Sequence, residues 1–334
     1  MPDRWRFWQC FLCGAILLSC TLTVRAQGMN VVKGSLPNLG TMAMPNGTLA
    51  GVGQPKSQVL DPELKIRESY VGWIDAAAPR STMGLRFDSK WNNMQPMRAE
   101  YYHPQGAPGS TVGFPLPESR VSYQELTTFT EYRMVPWLSV FIEAPYRWMN
   151  PEINENRSGS GDMAYGLKIV TWSGDSAIAT ILLRVYQPSA SNAALGTGHW
   201  SIEPGLLAAY RFNENLLIEG EARYWVPING SDFAGDILRY GLGVSWGQRR
   251  SSGLWYMPVL EGIGWTVLSG KTMVATSPTT FSIHDAGGQT TVNAYLGLRW
   301  GYGANLDFYA GYGHSFTGHF WQRDLFRFEI RYVY

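Results

Sequence analysis

Charge is scarce in this sequence. Asp, Glu, Lys and Arg make up 16% of its 334 residues, against roughly a quarter in an ordinary soluble protein, so much of the surface is not built for water. Cysteine is rarer still: Cys10, Cys13 and Cys20 are the whole complement, all close to the N-terminus. A chain processed beyond them carries no thiol, which excludes a disulfide framework and a thiolate metal site. Past the N-terminus no apolar run approaches the roughly 18 residues of a membrane-crossing helix, which argues against a helical membrane protein. A dominant charge sign is also lacking. Without residues 1–26 the chain holds 24 basic against 25 acidic residues, a balance that argues against a nucleic-acid binder.

Aromatic residues and glycine are abundant. The chain has 14 Trp, 18 Tyr and 37 Gly, while its mean hydropathy is slightly negative. Alternating strands produce this combination, because each apolar residue is followed by a polar one and the window average cancels.

The N-terminus reads as a secretory signal: Arg4 and Arg6, an apolar run from Phe7 to about Leu22, then Val24-Arg25-Ala26 as a small-residue cleavage site. A membrane anchor and a lipoprotein signal, with Cys20 in Leu17-Leu18-Ser19-Cys20 as acceptor, are the alternatives. The expected organisation is a signal peptide over 1–26, a flexible N-terminal arm over 27–66 rich in Gly, Pro, Asn and Met, and an outer-membrane β-barrel over 67–334.

Two-residue alternation begins near Ser81. It is clearest at the end, where Phe326, Phe328, Ile330, Tyr332 and Tyr334 alternate with Arg327, Glu329, Arg331 and Val333. About twelve such segments follow one another, each near the length of a tilted membrane strand. Their connections alternate between short (around Pro136, Gly174, Asn213, Gly253 and Gly303) and long (92–120, 149–160, 189–200 and 269–289). Short periplasmic turns, long outer loops and an even strand number are what an outer-membrane barrel requires. The expected fold is all-β, a transmembrane antiparallel up-and-down barrel. Strand 254–268 departs from alternation and suggests a bulge. Aromatics near the strand ends, including Trp137, Trp172, Trp246 and Trp255 at one end and Trp91, Tyr123, Trp148, Trp200, Trp225, Trp265 and Trp321 at the other, suggest two interfacial girdles.

If the apolar parity faces lipid, the opposite parity lines the lumen. The candidates are Glu125, Glu131, Glu143, Lys168, Arg184, Glu203, Glu219, Glu221, Arg223, Arg239, Arg299, Arg327, Glu329 and Arg331. Their signs nearly balance. Either they pair and narrow the bore, or they line a selective path.

Catalytic motifs fare poorly. Gly243-Val244-Ser245-Trp246-Gly247 fits the nucleophile-elbow pattern, but it completes a strand where a sharp turn and a helix are required. Gly159 to Ala164 mimics a dinucleotide loop, yet a strand pattern follows it. His314 and Ser315 are adjacent and so point to opposite faces, which disfavours a phospholipase-like pair. No catalytic set, cofactor site or metal-ligand spacing emerges, and the chain reads as a non-enzyme.

The stretch Ser158-Gly159-Ser160-Gly161-Asp162-Met163-Ala164-Tyr165-Gly166-Leu167-Lys168, preceded by Glu143-Ala144-Pro145-Tyr146-Arg147, resembles a group of outer-membrane barrels of the MetA-pathway phenol-degradation or "transporter" type. The resemblance spans about 81–334. It implies the barrel fold and an outer-membrane location, and carries no established site residues. The reading is a channel or transporter for small, potentially hydrophobic molecules in a Gram-negative-type outer membrane. A surface protein with a closed lumen is the alternative, and a phospholipase-like enzyme ranks below both. The partners expected are outer-membrane lipid, a small-molecule solute, and the barrel-assembly machinery acting on the terminal strand ending at Tyr334.

Overall fold

The last strand is inside out by the standard of a soluble sheet. Arg327, Glu329 and Arg331 are buried, while Phe326, Phe328 and Tyr332 are exposed. Apolar side chains can face outward in this way only where the outside is hydrocarbon. The computed structural model describes residues 64–93, 112–114, 118, 120–277, 280–317 and 321–334. The signal peptide, Cys20 and most of the arm lie outside them.

The strands are β1 (Thr82–Asn93), β2 (Val121–Val135), β3 (Leu138–Pro151), β4 (Arg157–Ser160), β5 (Met163–Ser173), β6 (Ala177–Gln187), β7 (Trp200–Asn213), β8 (Leu216–Ile228), β9 (Ile237–Trp246), β10 (Leu254–Val267), β11 (Lys271–Ser277), β12 (Thr280–Asp285), β13 (Thr290–Tyr302), β14 (Leu306–Ser315) and β15 (Asp324–Val333). β4 and β5 pair with successive parts of β3 and make one crossing of the wall. β11 and β12 form a separate hairpin in one long connection. The remainder is a closed antiparallel barrel of 12 strands. β1 pairs with β15 from Thr82↔Val333 to Trp91↔Asp324 and with β2 on its other side. No backbone edge is left to face lipid, where each unpaired group would cost several kcal/mol (about 2–7).

Short turns gather at the end that holds Thr82 and Val333, long connections at the other. Most outward aromatics fit the girdle expectation: Trp137, Trp172 and Trp246 are exposed at the short-turn end, and Trp91, Trp148 and Trp200 at the long-loop end. Tyr123, Trp225, Trp255, Trp265 and Trp321 do not belong there, because all five are buried. They share the parity of the inward charges and pack inside the barrel.

The bulge expected in strand 254–268 is absent. β10 pairs with β13 without interruption from Leu254↔Tyr302 to Thr266↔Thr290. Trp255, Met257, Val259, Glu261, Ile263 and Trp265 all face inward, and Tyr256 and Leu260 face out. The pattern looked irregular because both faces of this strand are apolar. The outer one meets lipid, and the inner one meets a second part of the chain.

Candidate functional site

That second part is the run Leu64–Arg80, which precedes β1 and is not a strand of the wall. Within the expected barrel domain of 67–334, the wall itself begins at Thr82. Leu64, Ile66, Tyr70, Val71, Trp73, Ile74, Ala77 and Ala78 are buried in one cluster with inward wall residues. Glu68 pairs with Arg211 near the short-turn end of β7. At the other limit of the run, the Arg80 N–H donates to Glu131 at 3.1 Å, just before β1 starts. Both limits thus sit toward the short-turn end, with Trp73–Asp75 between them reaching deeper.

A non-periodic segment cannot satisfy its own backbone, so buried N–H and C=O groups need partners elsewhere. Here the wall supplies them by sign. The Glu261 carboxylate accepts from the N–H groups of Gly72 (2.8 Å), Trp73 (2.9 Å) and Ile74 (3.0 Å). Glu219 accepts from Tyr70 at 3.1 Å, and Glu221 from Asp75 at 3.1 Å. Arginines take the carbonyls. Arg299 donates to Tyr70 and Val71, both at 2.9 Å, and Arg331 to Ser69 at 3.0 Å. Arg327 donates to the Gly72 carbonyl and Arg239 to that of Trp73. The bonds from the arginines come from charged donors, and such bonds are about twice as strong as neutral ones.

Packing adds to this seat. Trp73 stacks on Tyr295 with ring centroids 4.5 Å apart, and the Arg327 guanidinium lies 3.6 Å over the Trp73 ring. A side chain at Gly72 would overlap the Tyr309 ring, with a Cβ only 2.2 Å from it, and one at Gly243 would meet Val71 at 2.5 Å. Gly243 belongs to the elbow-like motif. Its lack of a side chain makes room for the inserted segment, while Ser245 is buried and donates to the Leu217 carbonyl at 3.4 Å.

The inward charges pair among themselves as well. Arg299 bridges Asp307 at 2.7 Å and Glu329 at 3.0 Å. Arg327 holds Asp88 at 2.6 Å, and Arg331 holds Asp307 at 2.9 Å. Lys168 meets Glu131 at 2.8 Å, and Arg239 meets Glu221 at 2.6 Å. Glu125 binds Arg147, and Glu203 receives the Tyr186 hydroxyl at 2.8 Å. Asp75, from the inserted segment, joins Arg184 at 2.9 Å and Arg223 at 3.0 Å. Arg184 also holds Glu143 at 3.0 Å. Every candidate from the sequence thus sits in one interior network. Sequence reasoning missed Glu261, whose apolar neighbours disguised its face. It also missed Asp75, because the non-alternating run Tyr70–Ala78 carried no strand or motif signal.

Two cavities adjoin the segment. One, of about 190 Å³, is lined by Trp73, Asp75, Arg86, Glu143, Arg184 and Trp265 among others. The second, of about 60 Å³, lies beside Ser69, Ala76, Arg80, Phe129 and Glu131. They share Gly72, Ile74, Asp75, Arg86, Glu143 and Arg184. The long-loop mouth is partly roofed: Phe114, Val121, Tyr123, Met149, Ala194 and Leu195 form a second apolar cluster. Asp162 accepts from the Thr197 N–H at 2.8 Å. Glu118 accepts from the N–H groups of Ile153 and Asn154, both at 3.0 Å. Burial pushes the Glu118 carboxyl up, but the N–H donors of Asn154, Ile153 and Arg120 outweigh it and hold the group below its ordinary value.

Fold and interior together define a transmembrane β-barrel with an internal, charge-pinned segment. The chain belongs to the family described as "Putative MetA-pathway of phenol degradation", whose model matches residues 119–319. Among solved structures, an outer membrane channel from Pseudomonas putida F1 is similar, with TM-score 0.50 and 15% identity over 80% of this chain and 99% of that one. The NanC porin gives TM-score 0.46 at 7% identity, covering 75% of this chain and 100% of its own. LpxR from Salmonella typhimurium gives 0.43 at 12%, covering 76% and 100%. No curated protein matches.

Proposed function

We propose that this protein is an outer-membrane channel for small solutes whose lumen is narrowed by its own residues 64–80. The observation that carries the reading is the pair of cavities that share Asp75, Arg86, Glu143 and Arg184. The proposed route runs past the segment through both, and the shared charges, Arg86 of β1, Glu143 of β3 and Arg184 of β6 with Asp75 of the segment, form its constriction. In this reading the inward charges have two roles: most of the fourteen sequence candidates seat the segment, while Glu143 and Arg184, with Arg86 and Asp75, select the solute. The short-turn end faces the periplasm, residues 1–26 direct export, and the strand ending at Tyr334 is presented to the barrel-assembly machinery. The family and the likeness to a channel of known structure support a channel over an enzyme.

Planar-bilayer recording of the purified full-length protein tests this. Discrete current steps are expected, larger in Glu261→Gln, which loosens the segment. Silence in both proteins, with folding verified by heat-dependent gel mobility, overturns the reading in favour of a closed surface protein.

A further inference from the structure

The larger cavity mixes two kinds of lining. Trp73, Ile74, Trp225, Ile237, Ile263 and Trp265 contribute rings and branched aliphatics. Arg86, Glu143, Arg147 and Arg184 are among the charged groups that share the same wall. A solute that satisfies both kinds is itself amphiphilic, with a ring for the first and an ionic group for the second. At about 190 Å³ the space suits a single ring, since pockets for drug-sized ligands start near about 300 Å³.

The sign of the ionic group follows from which partners have capacity left. The carboxylates are committed. Asp75 holds two arginines, Asp88 accepts from both Nε and Nη2 of Arg327, Glu125 holds Arg147 and lies 3.8 Å from Lys90, and Glu143 holds Arg184. Arg86 differs. Its Nε donates to Glu329 at 3.1 Å, but the nearest acid to its Nη1 is Glu143 at 3.9 Å, too far for a hydrogen bond. Its side chain is partly accessible, at 20%, and it borders both cavities. Trp73, which borders the same space, carries a buried indole N–H with no hydrogen-bond partner. Spare donors on a cation and on an indole edge that line one cavity fit an acceptor on an anion.

We infer that the larger cavity is a binding site for small aromatic carboxylates, with the ring among the Trp225, Ile237, Ile263 and Trp265 side chains that line it and the carboxylate on Arg86 and the Trp73 indole N–H. This rests on the channel reading for its biological meaning, since it names the solute class that the channel would favour.

The test is titration of the full-length protein in detergent, followed by tryptophan fluorescence and calorimetry. The probes are sodium benzoate, phenol, acetate and benzylammonium. Saturable benzoate binding is expected, with phenol and acetate each at least about tenfold weaker, because each lacks one of the two contacts. Arg86→Gln should weaken benzoate by about tenfold or more, and Arg86→Lys should restore part of it. Circular dichroism and heat-dependent mobility establish that both variants fold. Equal affinity for phenol and benzoate, preference for benzylammonium, or unchanged benzoate affinity in Arg86→Gln overturns the inference. Bilayer recordings on the same preparations separate the two proposals. Benzoate binding without conductance defeats the channel and leaves the site. Conductance without benzoate binding defeats the site and leaves the channel.

Discussion

The two sides of the barrel interior treat the inserted segment differently. From β8 to β15 the wall grips it: Glu219, Glu221 and Glu261 take its N–H groups, and Arg239, Arg299, Arg327 and Arg331 take its carbonyls. From β1 to β6 the wall touches it mainly through Arg184, the Thr180 hydroxyl on the Ala77 carbonyl and Glu131 on Arg80, and supplies the wall charges Arg86, Glu143 and Arg184 that border both cavities. The same residue types do opposite work. On the gripping side an ionic side chain meets a backbone group of opposite polarity, which fixes position. On the open side ionic side chains meet each other across space, which leaves them free to exchange partners.

Variants on the two sides should therefore separate stability from permeation. The largest effect is expected for Arg299→Met. It takes from buried Asp307 and Glu329 one of the two arginines each holds and from the segment the donor to two carbonyls, and removing one partner of a buried ion network costs about 3–5 kcal/mol. Thermal unfolding in detergent, read by heat-dependent gel mobility, should show a marked fall in midpoint, and an unchanged midpoint would mean that the gripping side is not a structural anchor. Next comes Glu261→Gln, which replaces one charged acceptor of three N–H groups by a neutral amide. A loss of about 1.5–3 kcal/mol should fall on the segment rather than the wall. Hydrogen exchange should accelerate across residues 70–75 while β10 stays protected, and channel current should rise.

A smaller effect on stability is expected on the open side. Glu143→Gln weakens the Arg184 pair at 3.0 Å but leaves Arg184 with Asp75, so about 1 kcal/mol is the expected cost. Its main consequence should be a shift of ion selectivity toward anions, read as a reversal potential in a salt gradient. The smallest effect lies at the mouth. The folded Glu118 carboxyl is held below its ordinary value of 4.5, so its hold on residues 152–154 is complete above that value and is lost as pH falls below it through the lowered folded value. Exchange of the 152–154 amides should stay slow at neutral pH and quicken only under acid. Glu118→Gln should remove that pH dependence.

How much of this was legible beforehand follows from the kind of pattern each part leaves. In β15 a strict alternation of aromatic and charged residues gave fold, face and environment at once, because a strand puts consecutive side chains on opposite faces. β10 was misread as bulged because its inward face is also apolar. Alternation can report only a difference between faces, and there was none. The residues from Ser69 to Ala78 have no period at all. Their backbone is satisfied by side chains far away in sequence, such as Glu261 on Trp73, 188 positions apart. Tyr123, Trp225 and Trp265 looked interfacial because they lie near strand ends, where depth is readable but direction depends on register.

The sequence by itself determined the wall: its strand number, its closure, its apolar exterior and its charged interior, all of which are local periodicities repeated round the ring. What fills the interior was decided only by the tertiary structure. Which charges face inward is a property of each strand. Whether they meet water, each other or the backbone of residues 64–80 depends on contacts between distant parts of the chain, and side-chain to backbone hydrogen bonds leave no trace in composition or spacing.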